Sequence, residues 1–239
     1  MQHSIYDSIY FAKANGTKLL AILLDPDKIN WEETDILIQK IIDSPATHIL
    51  VGGSVVVTDN ISRLIETLKL CRLPICIFPG HPSQISNNAD GILILSLLSG
   101  RNPDFLIQHH VDSAKTLKNS GLEIIPTAYL LIDGGTESAV KVVSKTMPLD
   151  QNNIDEIVST SIAGQLLGNK LIYLEAGSGA ANRVSDEIIA AVCEDVDIPI
   201  LVGGGITSAL QIKQAYEAGA TMVVIGTAFE NNVNFFETL

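Results

Sequence analysis

Eight short apolar segments, separated by stretches with helical patterning, constrain this chain more than any other feature of its sequence. Most of them are nearly continuous runs of β-branched and other apolar residues, a pattern typical of parallel strands covered on both faces. The predicted strands are Lys18–Leu24, His48–Val51, Pro74–Phe78, Gly91–Leu95, Glu123–Leu131, Leu171–Glu175, Ile198–Val202 and Met222–Ile225.

Apolar residues spaced three and four apart predict helices between many of these strands. The predicted helices are Trp31–Ile42, Asn60–Leu70, Phe105–Lys118, Asn152–Leu167, Ser185–Cys193 and Ser208–Ala218. Strands that alternate with helices indicate an α/β protein with a parallel sheet. Because the chain has 239 residues and one α/β barrel typically takes roughly 250, we expect a single barrel domain over residues 1–239.

An open, doubly wound sheet is the alternative to a closed barrel on this pattern alone. No GxGxxG motif follows the first strand, as a dinucleotide-binding sheet would require. Glycine-rich segments instead follow the second, sixth, seventh and eighth strands. Ligand-binding loops spread around a ring of strand ends favour a (β/α)8 barrel of the TIM type.

The connection between the third and fourth strands departs from the full barrel pattern. Residues 79–90 form a short segment that includes Pro79 and Pro82. A parallel crossover needs a dozen or more residues, usually with a helix, and prolines discourage a helix interior. We therefore predict that the barrel lacks its third helix or retains only a turn there.

The charge and hydropathy of the chain exclude some partners. A formal net charge of −12 argues against nucleic acid, because binding a phosphate backbone requires clustered Lys and Arg. The N-terminal residues show no leader pattern, and no apolar run reaches the ~20 residues of a membrane span. We expect a cytoplasmic protein without an integral membrane segment.

Two glycine clusters follow the last two predicted strands. Gly203, Gly204 and Gly205 follow the seventh, and Gly226 with Thr227 follows the eighth. In TIM barrels these two loops often form a phosphate site, because glycine lets backbone amides approach an anion closely. The clusters predict such a site, with tight turns alone as the alternative.

A third cluster, Tyr173–Gly179, follows the sixth strand with the sequence Tyr-Leu-Glu-Ala-Gly-Ser-Gly. Alternation along a strand places Tyr173 and Glu175 on the same face, so a phenol and a carboxylate would point together toward the barrel mouth. Glu175 could accept hydrogen bonds from substrate hydroxyls and take a proton from one of them. A structural carboxylate bound to backbone amides is the alternative.

The first strand ends in Asp25-Pro26-Asp27. An acidic side chain at the barrel mouth suits Mg²⁺, which usually takes one or two protein oxygens together with water and substrate phosphates. Ser54, after the glycines that end the neighbouring second strand, offers a hydroxyl near the same mouth. We expect Asp25 and Ser54 to share one Mg²⁺, with turn capping as the alternative role of the Asp-Pro-Asp motif.

Six segments together resemble the geranylgeranylglyceryl phosphate synthases. These segments are LLDPDK (23–28), HILVGGS (48–54), FPG…QIS (78–86), YLEAGSG (173–179), VGGGI (202–206) and IGTAFE (225–230). This family shares its fold with heptaprenylglyceryl phosphate synthases of the PcrB type. The resemblance runs from the first strand to the eighth, although Thr227 stands where many family members carry Asn.

The resemblance implies a Mg²⁺-dependent prenyltransferase that makes an ether lipid precursor. Its substrates would be sn-glycerol 1-phosphate and a polyprenyl diphosphate, with geranylgeranyl diphosphate expected. The implied metal ligands are Asp25 and Ser54, and the implied catalytic pair is Tyr173 and Glu175. The implied contacts to glycerol phosphate are Tyr173, Glu175, Ala176, Gly177, Ser178, Gly179, Gly204, Gly205, Gly226 and Thr227. The family also implies a barrel without its third helix, a homo-oligomer, and a product that can partition into membranes.

Other functions and roles remain open at this point. Lys28 and Arg101 are candidates to assist the departing diphosphate, and each is equally explained as a solvated surface charge. A different phosphate-binding barrel enzyme, such as a sugar-phosphate isomerase, would need neither Mg²⁺ nor an apolar groove for a prenyl tail. A non-catalytic protein that binds a phosphorylated metabolite is the second alternative.

Overall fold

Eight parallel strands close into a barrel in chain order, with the first strand paired to the eighth. The structure, a computed structural model, describes residues 4–53 and 60–238. The strands are β1 (Leu19–Leu24), β2 (His48–Val51), β3 (Ile75–Ile77), β4 (Gly91–Leu97), β5 (Glu123–Leu131), β6 (Leu171–Glu175), β7 (Ile200–Gly203) and β8 (Met222–Ile225). The predicted TIM-type barrel is therefore confirmed.

Helices lie outside the barrel, except for the first, which covers its floor. They are α1 (Ile5–Asn15), α2 (Thr34–Ile42), α3 (Asn60–Leu68), α4 (His109–Lys118), α5 (Ala139–Ser144), α6 (Ile154–Leu166), α7 (Asp186–Asp195), α8 (Ala209–Glu217) and α9 (Thr227–Asn231). Within residues 4–53 and 60–238, no helix combines the length and apolar character needed to cross a bilayer.

The connection between β3 and β4 holds only a short 3-10 turn, Pro82–Gln84. The His81 imidazole accepts a hydrogen bond from the Ser83 N–H at the start of this turn. The prediction of a missing third helix is confirmed, because a short segment with two prolines leaves no room for a regular helix.

The strands divide the apolar core into an inner and an outer layer. Outward-facing residues such as Ile22 and Leu174 pack against the surrounding helices. Inward-facing residues such as Leu171 and Tyr173 fill the barrel, and Ile9 of α1 joins them from below. The barrel is therefore packed through its middle and closed at its floor, which leaves the carboxyl ends of the strands as the open end.

One predicted helix boundary was wrong by about a turn, and the others differed from the structure by one or two residues. The helix predicted over Trp31–Ile42 begins only at Thr34, because residues 31–33 form a turn. The helix predicted over Phe105–Lys118 opens with a π-helical turn, Asp104–Gln108, before α4. The short helices α5 and α9 and the floor helix α1 were not predicted.

Candidate active site

A cavity of about 460 Å³ opens at the carboxyl ends of the strands. It is lined by residues from the loops after β1, β2, β6, β7 and β8, which places most of the predicted site residues around one space. Its polar lining includes Asp25, Tyr173, Glu175, Ser178 and Thr227. This is the end of a TIM barrel at which active sites form.

Glu175 and Tyr173 both point into this cavity from β6, as strand alternation predicted. Glu175 is only 6% exposed, and its Oε1 accepts a hydrogen bond of 2.7 Å from the Gly177 N–H. Within the described part of the chain, no backbone N–H donates to its other oxygen, Oε2. One carboxylate oxygen is thus anchored to the backbone, and the other faces the cavity.

Burial sets the protonation of this pair. Removal from water raises the pKa of Glu175 to about 7, although the hydrogen bond from the Gly177 N–H and the nearby Tyr173 hydroxyl both oppose the rise. Burial also raises the pKa of Tyr173 well above its usual value, so the phenol stays protonated. The Tyr173 hydroxyl is buried and finds no hydrogen-bond partner of good geometry among the described residues. An orphaned hydroxyl beside a half-anchored carboxylate is suited to receive a polar ligand.

Gly203, which ends β7, and Gly204 lie too close to the side chains of β6 to carry a side chain of their own. A Cβ at Gly203 would stand 2.6 Å from the Tyr173 hydroxyl and 2.8 Å from Glu175 Oε2. Gly204 has a φ of +81°, and a Cβ there would stand 2.4 Å from Glu175 Oε1. A side chain at either position would collide with Tyr173 or Glu175. The glycines therefore keep the backbone within reach of a ligand bound there.

Backbone donors from two loops remain available at this end of the cavity. The N–H groups of Gly204, Gly205, Gly226 and Thr227 donate to no acceptor within residues 4–53 and 60–238. The side chains of Ser178 and Thr227 share a hydrogen bond of 2.8 Å that ties the loop after β6 to the loop after β8. Free amides on glycine loops are what an acidic protein needs to bind a phosphate without basic side chains.

Ala176 is the one predicted contact in this segment that does not line the cavity. It is 2% exposed, and its N–H donates to the Gly203 carbonyl oxygen. Ala176 thus joins the β6 loop to the end of β7. Gly177, Ser178 and Gly179, which follow it, line the cavity as predicted.

Asp25 lines the same cavity from the loop after β1. Its Oδ1 accepts a hydrogen bond from the Asp27 N–H, and a Cβ at Gly53 would stand 2.9 Å from its Oδ2. Partial burial raises the pKa of Asp25, against the lowering effects of that hydrogen bond and of Lys28. Ser54, the second predicted metal ligand, lies outside the described residues.

The two basic candidates lie in different places. Lys28 lines the cavity and pairs with Glu230 of α9 at 2.9 Å. Arg101 instead donates to the carbonyl oxygens of Leu98 and Ser99 and lies 3.7 Å from Glu156 on α6. The structure therefore separates Arg101 from the cavity and keeps Lys28 within it.

An apolar cavity of about 90 Å³ adjoins the polar one on the side of the missing third helix. The two cavities share Phe78, Tyr129 and Val140 in their walls. The Tyr129 ring lies 5.8 Å from the Phe78 ring and 5.4 Å from the Tyr173 ring, measured between centroids. The aromatic rings of Phe78, Tyr129 and Tyr173 thus form a wall between the polar cavity and the apolar cavity.

Known proteins of one family are similar to this chain over nearly its whole length. The model of the PcrB family matches residues 16–238. The chain belongs to the PcrB family. It is 58% identical over 236 residues to a geranylgeranylglyceryl phosphate synthase of Flavobacterium johnsoniae, covering 98% of this chain and 97% of that protein. It is also 38% identical to the geranylgeranylglyceryl phosphate synthase of Korarchaeum cryptofilum, covering 91% and 89%.

A solved structure extends this similarity to three dimensions. The crystal structure of (S)-3-O-geranylgeranylglyceryl phosphate synthase from Thermoplasma acidophilum in complex with sn-glycerol-1-phosphate matches with a TM-score of 0.92. The two chains are 32% identical, and the match covers 99% of this chain and 95% of that one. The resemblance noted in the sequence is confirmed, and this PcrB-family chain is a prenyltransferase.

Three features of this PcrB-family site were not predicted from the sequence. Glu230 contacts both Lys28 and the backbone of Asp25, and Phe78 with Tyr129 forms the wall between the cavities. Phe78 and Tyr129 did carry a signal, since each lies near the carboxyl end of a predicted strand. Glu230 carried none, because its partners lie at the other end of the chain.

Proposed function

We propose that this PcrB-family enzyme transfers a geranylgeranyl group from its diphosphate to the 3-hydroxyl of sn-glycerol 1-phosphate. The observation that supports this most directly is the pairing of Glu175 and Tyr173 with glycine amides from two neighbouring loops. The amides provide an anion site and the pair provides polar groups beside it. A phosphorylated molecule with hydroxyl groups fits both halves of this cavity.

Glycerol phosphate would bind with its phosphate on the loops after β7 and β8. Backbone N–H groups at Gly204, Gly205, Gly226 and Thr227 would donate to the phosphate oxygens, with the Ser178 and Thr227 hydroxyls close by. The glycerol hydroxyls would then lie against Glu175 and Tyr173. Because the phosphate and the hydroxyls would each be held by fixed groups, the cavity would select a short three-carbon substrate and hold its reacting hydroxyl in one place.

Glu175 would act as the general base. The C–O bond between the prenyl carbon and the diphosphate breaks, and the diphosphate leaves with the bonding electrons. The glycerol 3-hydroxyl oxygen forms the new C–O bond to that carbon, and its proton passes to Glu175. A pKa of about 7 suits this role, because about half of the base is ionised at neutral pH and the carboxylate still binds a proton well.

Asp25 and Glu230, which both line the cavity, fit a magnesium ion. Asp25 offers a hard carboxylate oxygen at the mouth, and the carboxylate of Glu230 lies nearby. No group of three or more His, Cys, Asp or Glu is arranged for a metal among the described residues, but Mg²⁺ typically keeps several waters and uses substrate phosphates. Asp25 would hold the ion together with Ser54. When bound, the ion would supply positive charge to stabilise the leaving diphosphate.

The apolar cavity is the proposed place for the prenyl tail. Its lining includes Phe78, Leu93, Leu95 and Phe105, and it begins at the wall of the polar site. The missing third helix leaves the adjoining side of the barrel uncovered, which gives a long prenyl chain room to extend past this cavity.

A direct assay tests the proposed function. Radiolabelled sn-glycerol 1-phosphate is incubated with prenyl diphosphates of several lengths, with Mg²⁺ or with excess chelator. We expect label to enter the lipid phase only with Mg²⁺ and most rapidly with the C20 donor. Equal rates with chelator would remove the metal from the proposal. No transfer from any donor would refute the function.

Self-association and location stay predictions. Large apolar side chains are exposed on three neighbouring parts of the chain, including Ile107 and Val111 near α4, Val142 on α5 and Leu166 on α6. Such side chains support the proposed homo-oligomer, because an exposed apolar patch often marks an interface. Light scattering coupled to gel filtration measures the assembly directly, and a monomer mass would contradict it. The cytoplasmic location awaits cell fractionation.

A further inference from the structure

Three charged side chains meet at the cavity mouth, and they come from opposite ends of the chain. The Lys28 ammonium lies 2.9 Å from Glu230 Oε2 and 3.8 Å from Asp25 Oδ2. The second oxygen of Glu230, Oε1, accepts a hydrogen bond of 2.9 Å from the Asp25 N–H. Glu230 thus links both the backbone of Asp25 and the side chain of Lys28 to α9.

This arrangement differs from an ordinary surface ion pair. The Glu230 side chain is only 10% exposed, whereas that of Lys28 is 48% exposed. Exposed pairs contribute little because both partners move freely in water. Here one partner is fixed by burial and by the hydrogen bond from Asp25, so the ammonium is directed back into the cavity.

The position of the ammonium matters because of what else the cavity holds. Lys28, Asp25 and Glu230 all line the polar cavity, beside the proposed magnesium site. In the absence of metal, Lys28 supplies the positive charge that keeps the Asp25 and Glu230 carboxylates together. An ammonium is a compact point charge on a flexible stem, so it can turn toward a new anion without moving the backbone.

We propose that Lys28 is a resident cation of the diphosphate pocket and that Glu230 is the residue that positions it. In the empty enzyme Lys28 competes with a divalent ion for the Asp25 carboxylate. In the loaded enzyme repulsion between like charges turns the ammonium away from the metal and onto the diphosphate oxygens. This inference rests on the proposed function, and it assigns the diphosphate contact to a lysine held by the last helix.

The test uses two binding measurements on the intact protein, and neither requires turnover. Mn²⁺, as a spectroscopic substitute for Mg²⁺, is titrated alone and followed by electron paramagnetic resonance. Inorganic pyrophosphate is then titrated calorimetrically in the presence of saturating Mg²⁺. Removing the charge with Lys28→Met should strengthen Mn²⁺ binding and weaken pyrophosphate binding, each roughly fivefold, as for unit charges about 4 Å apart in a water-like dielectric.

The opposite signs of the two effects separate this role from a structural one. A variant that only loosens the loop would weaken both ligands. Lys28→Arg keeps the charge and should restore pyrophosphate affinity to within roughly twofold. The control is Lys69→Met, because Lys69 is 50% exposed and also pairs with a glutamate, Glu66, but lies on the outer surface. It should leave both affinities unchanged.

A double-mutant cycle tests whether Glu230 acts through Lys28. Glu230→Gln should weaken pyrophosphate binding and raise the KM for prenyl diphosphate more than it lowers kcat. Combined with Lys28→Met it should add no further loss, because the residue it positions is already absent. Additive losses would overturn the positioning role of Glu230.

Failure of the inference and failure of the proposed function give different results. If the wild-type enzyme transfers prenyl groups and Lys28→Met binds both Mn²⁺ and pyrophosphate as the wild type does, only the inference is wrong. If the wild-type protein neither binds pyrophosphate nor transfers a prenyl group, both are wrong. Thermal melting of each variant checks that it is folded.

Discussion

The two ends of this barrel bury polar side chains in opposite ways. At the floor, the buried polar side chains among the described residues have partners: Glu123 accepts from the N–H groups of Ile5 and Tyr6, and the His48 ring contacts the hydroxyls of Ser8 and Thr47. At the mouth, the Tyr173 hydroxyl has no partner among the described residues, and only one oxygen of Glu175 is anchored to the backbone.

This difference indicates what each end is for. A satisfied buried polar group fixes structure, whereas an unsatisfied one carries a cost that a ligand can remove. Substitutions at the mouth should therefore change activity more than stability, and substitutions at the floor should do the reverse.

Loss of the carboxylate at Glu175 should have the largest effect. Glu175→Gln keeps the shape of the side chain and removes the base, so kcat should fall by roughly 10²–10⁴-fold. Turnover of glycerol phosphate with a C20 donor measures this. Glu194→Gln, on the exposed face of α7, should leave kcat unchanged. A Glu175→Gln enzyme within threefold of the wild type would end the assignment of the base.

The pH profile should report the same carboxylate. Because burial raises the pKa of Glu175 to about 7, the ionised base is lost as the pH falls below 7. The value of kcat/KM should then drop by roughly 50-fold between pH 7 and pH 5, approaching a tenfold drop per pH unit at the acid end. Initial rates from pH 5 to pH 9 measure it. A profile flat across pH 6–8 would contradict this role.

The fold was more predictable than the floor helix that completes it. Strands β2, β5, β6 and β8 were predicted to the residue, because a buried parallel strand must be apolar on both faces. Helix α1 was missed because polar residues interrupt its apolar positions Ile5, Ile9 and Ala12. Its signals were the caps, a serine at position 4 and a glycine at position 16.

In the site, too, residues in short contiguous segments were predictable, and contacts between distant parts of the chain were not. Tyr173, Glu175 and the glycines were predictable because they lie in short contiguous segments after strands, and strand alternation fixes which way they point. Glu230 was not, because its contact with Asp25 joins positions 205 residues apart. Phe78 and Tyr129 each lie near the end of a predicted strand, but their contact was missed because no local pattern pairs two rings from different strands.

A methyl group at Gly204 should weaken the binding of glycerol phosphate at the barrel mouth. Gly204→Ala would place a Cβ 2.4 Å from Glu175 Oε1 at a φ of +81°. We expect the KM for glycerol phosphate to rise roughly 30-fold, as for the loss of one or two hydrogen bonds to a charged group. Steady-state kinetics measures it.

Gly168→Ala is the matched control. Gly168 also has a positive φ, of +91°, but nothing lies within 4 Å of the added Cβ. Backbone strain should cost each variant about 1–2 kcal/mol of unfolding free energy, and the collision should cost Gly204→Ala more. Only Gly204→Ala should also lose substrate affinity. Equal KM values would show that the close approach at Gly204 serves the fold alone.

His48 should make the floor sensitive to acid. Burial lowers the pKa of His48 to about 4, below its unfolded value near 6.5. Between these values the unfolded chain binds the proton more readily, so stability falls as the pH falls through this window. The contribution lost between pH 8 and pH 5 is roughly 2 kcal/mol. Urea unfolding at both pH values measures it.

The comparison variants for this prediction are His48→Gln and His81→Gln. The first removes the buried ring, so its stability should differ less between pH 8 and pH 5 than that of the wild type. The second changes an exposed imidazole and should keep the full wild-type difference. If His48→Gln shows the same loss as the wild type, the acid sensitivity of the floor lies elsewhere.

The smallest effect, and the one that divides mouth from floor most directly, concerns two tyrosine hydroxyls. Tyr173→Phe removes a buried hydroxyl that has no partner among the described residues, so unfolding free energy should rise by about 1 kcal/mol. The value of kcat/KM should fall about tenfold as a substrate contact is lost. Tyr216→Phe instead removes a hydroxyl that donates to the Leu19 carbonyl at 2.6 Å, so stability should fall by about 1 kcal/mol with kcat/KM unchanged. Urea denaturation and initial rates on both variants give the four values. A stability loss in Tyr173→Phe would mean that its hydroxyl is already satisfied without substrate, and the mouth would then be built on the same principle as the floor.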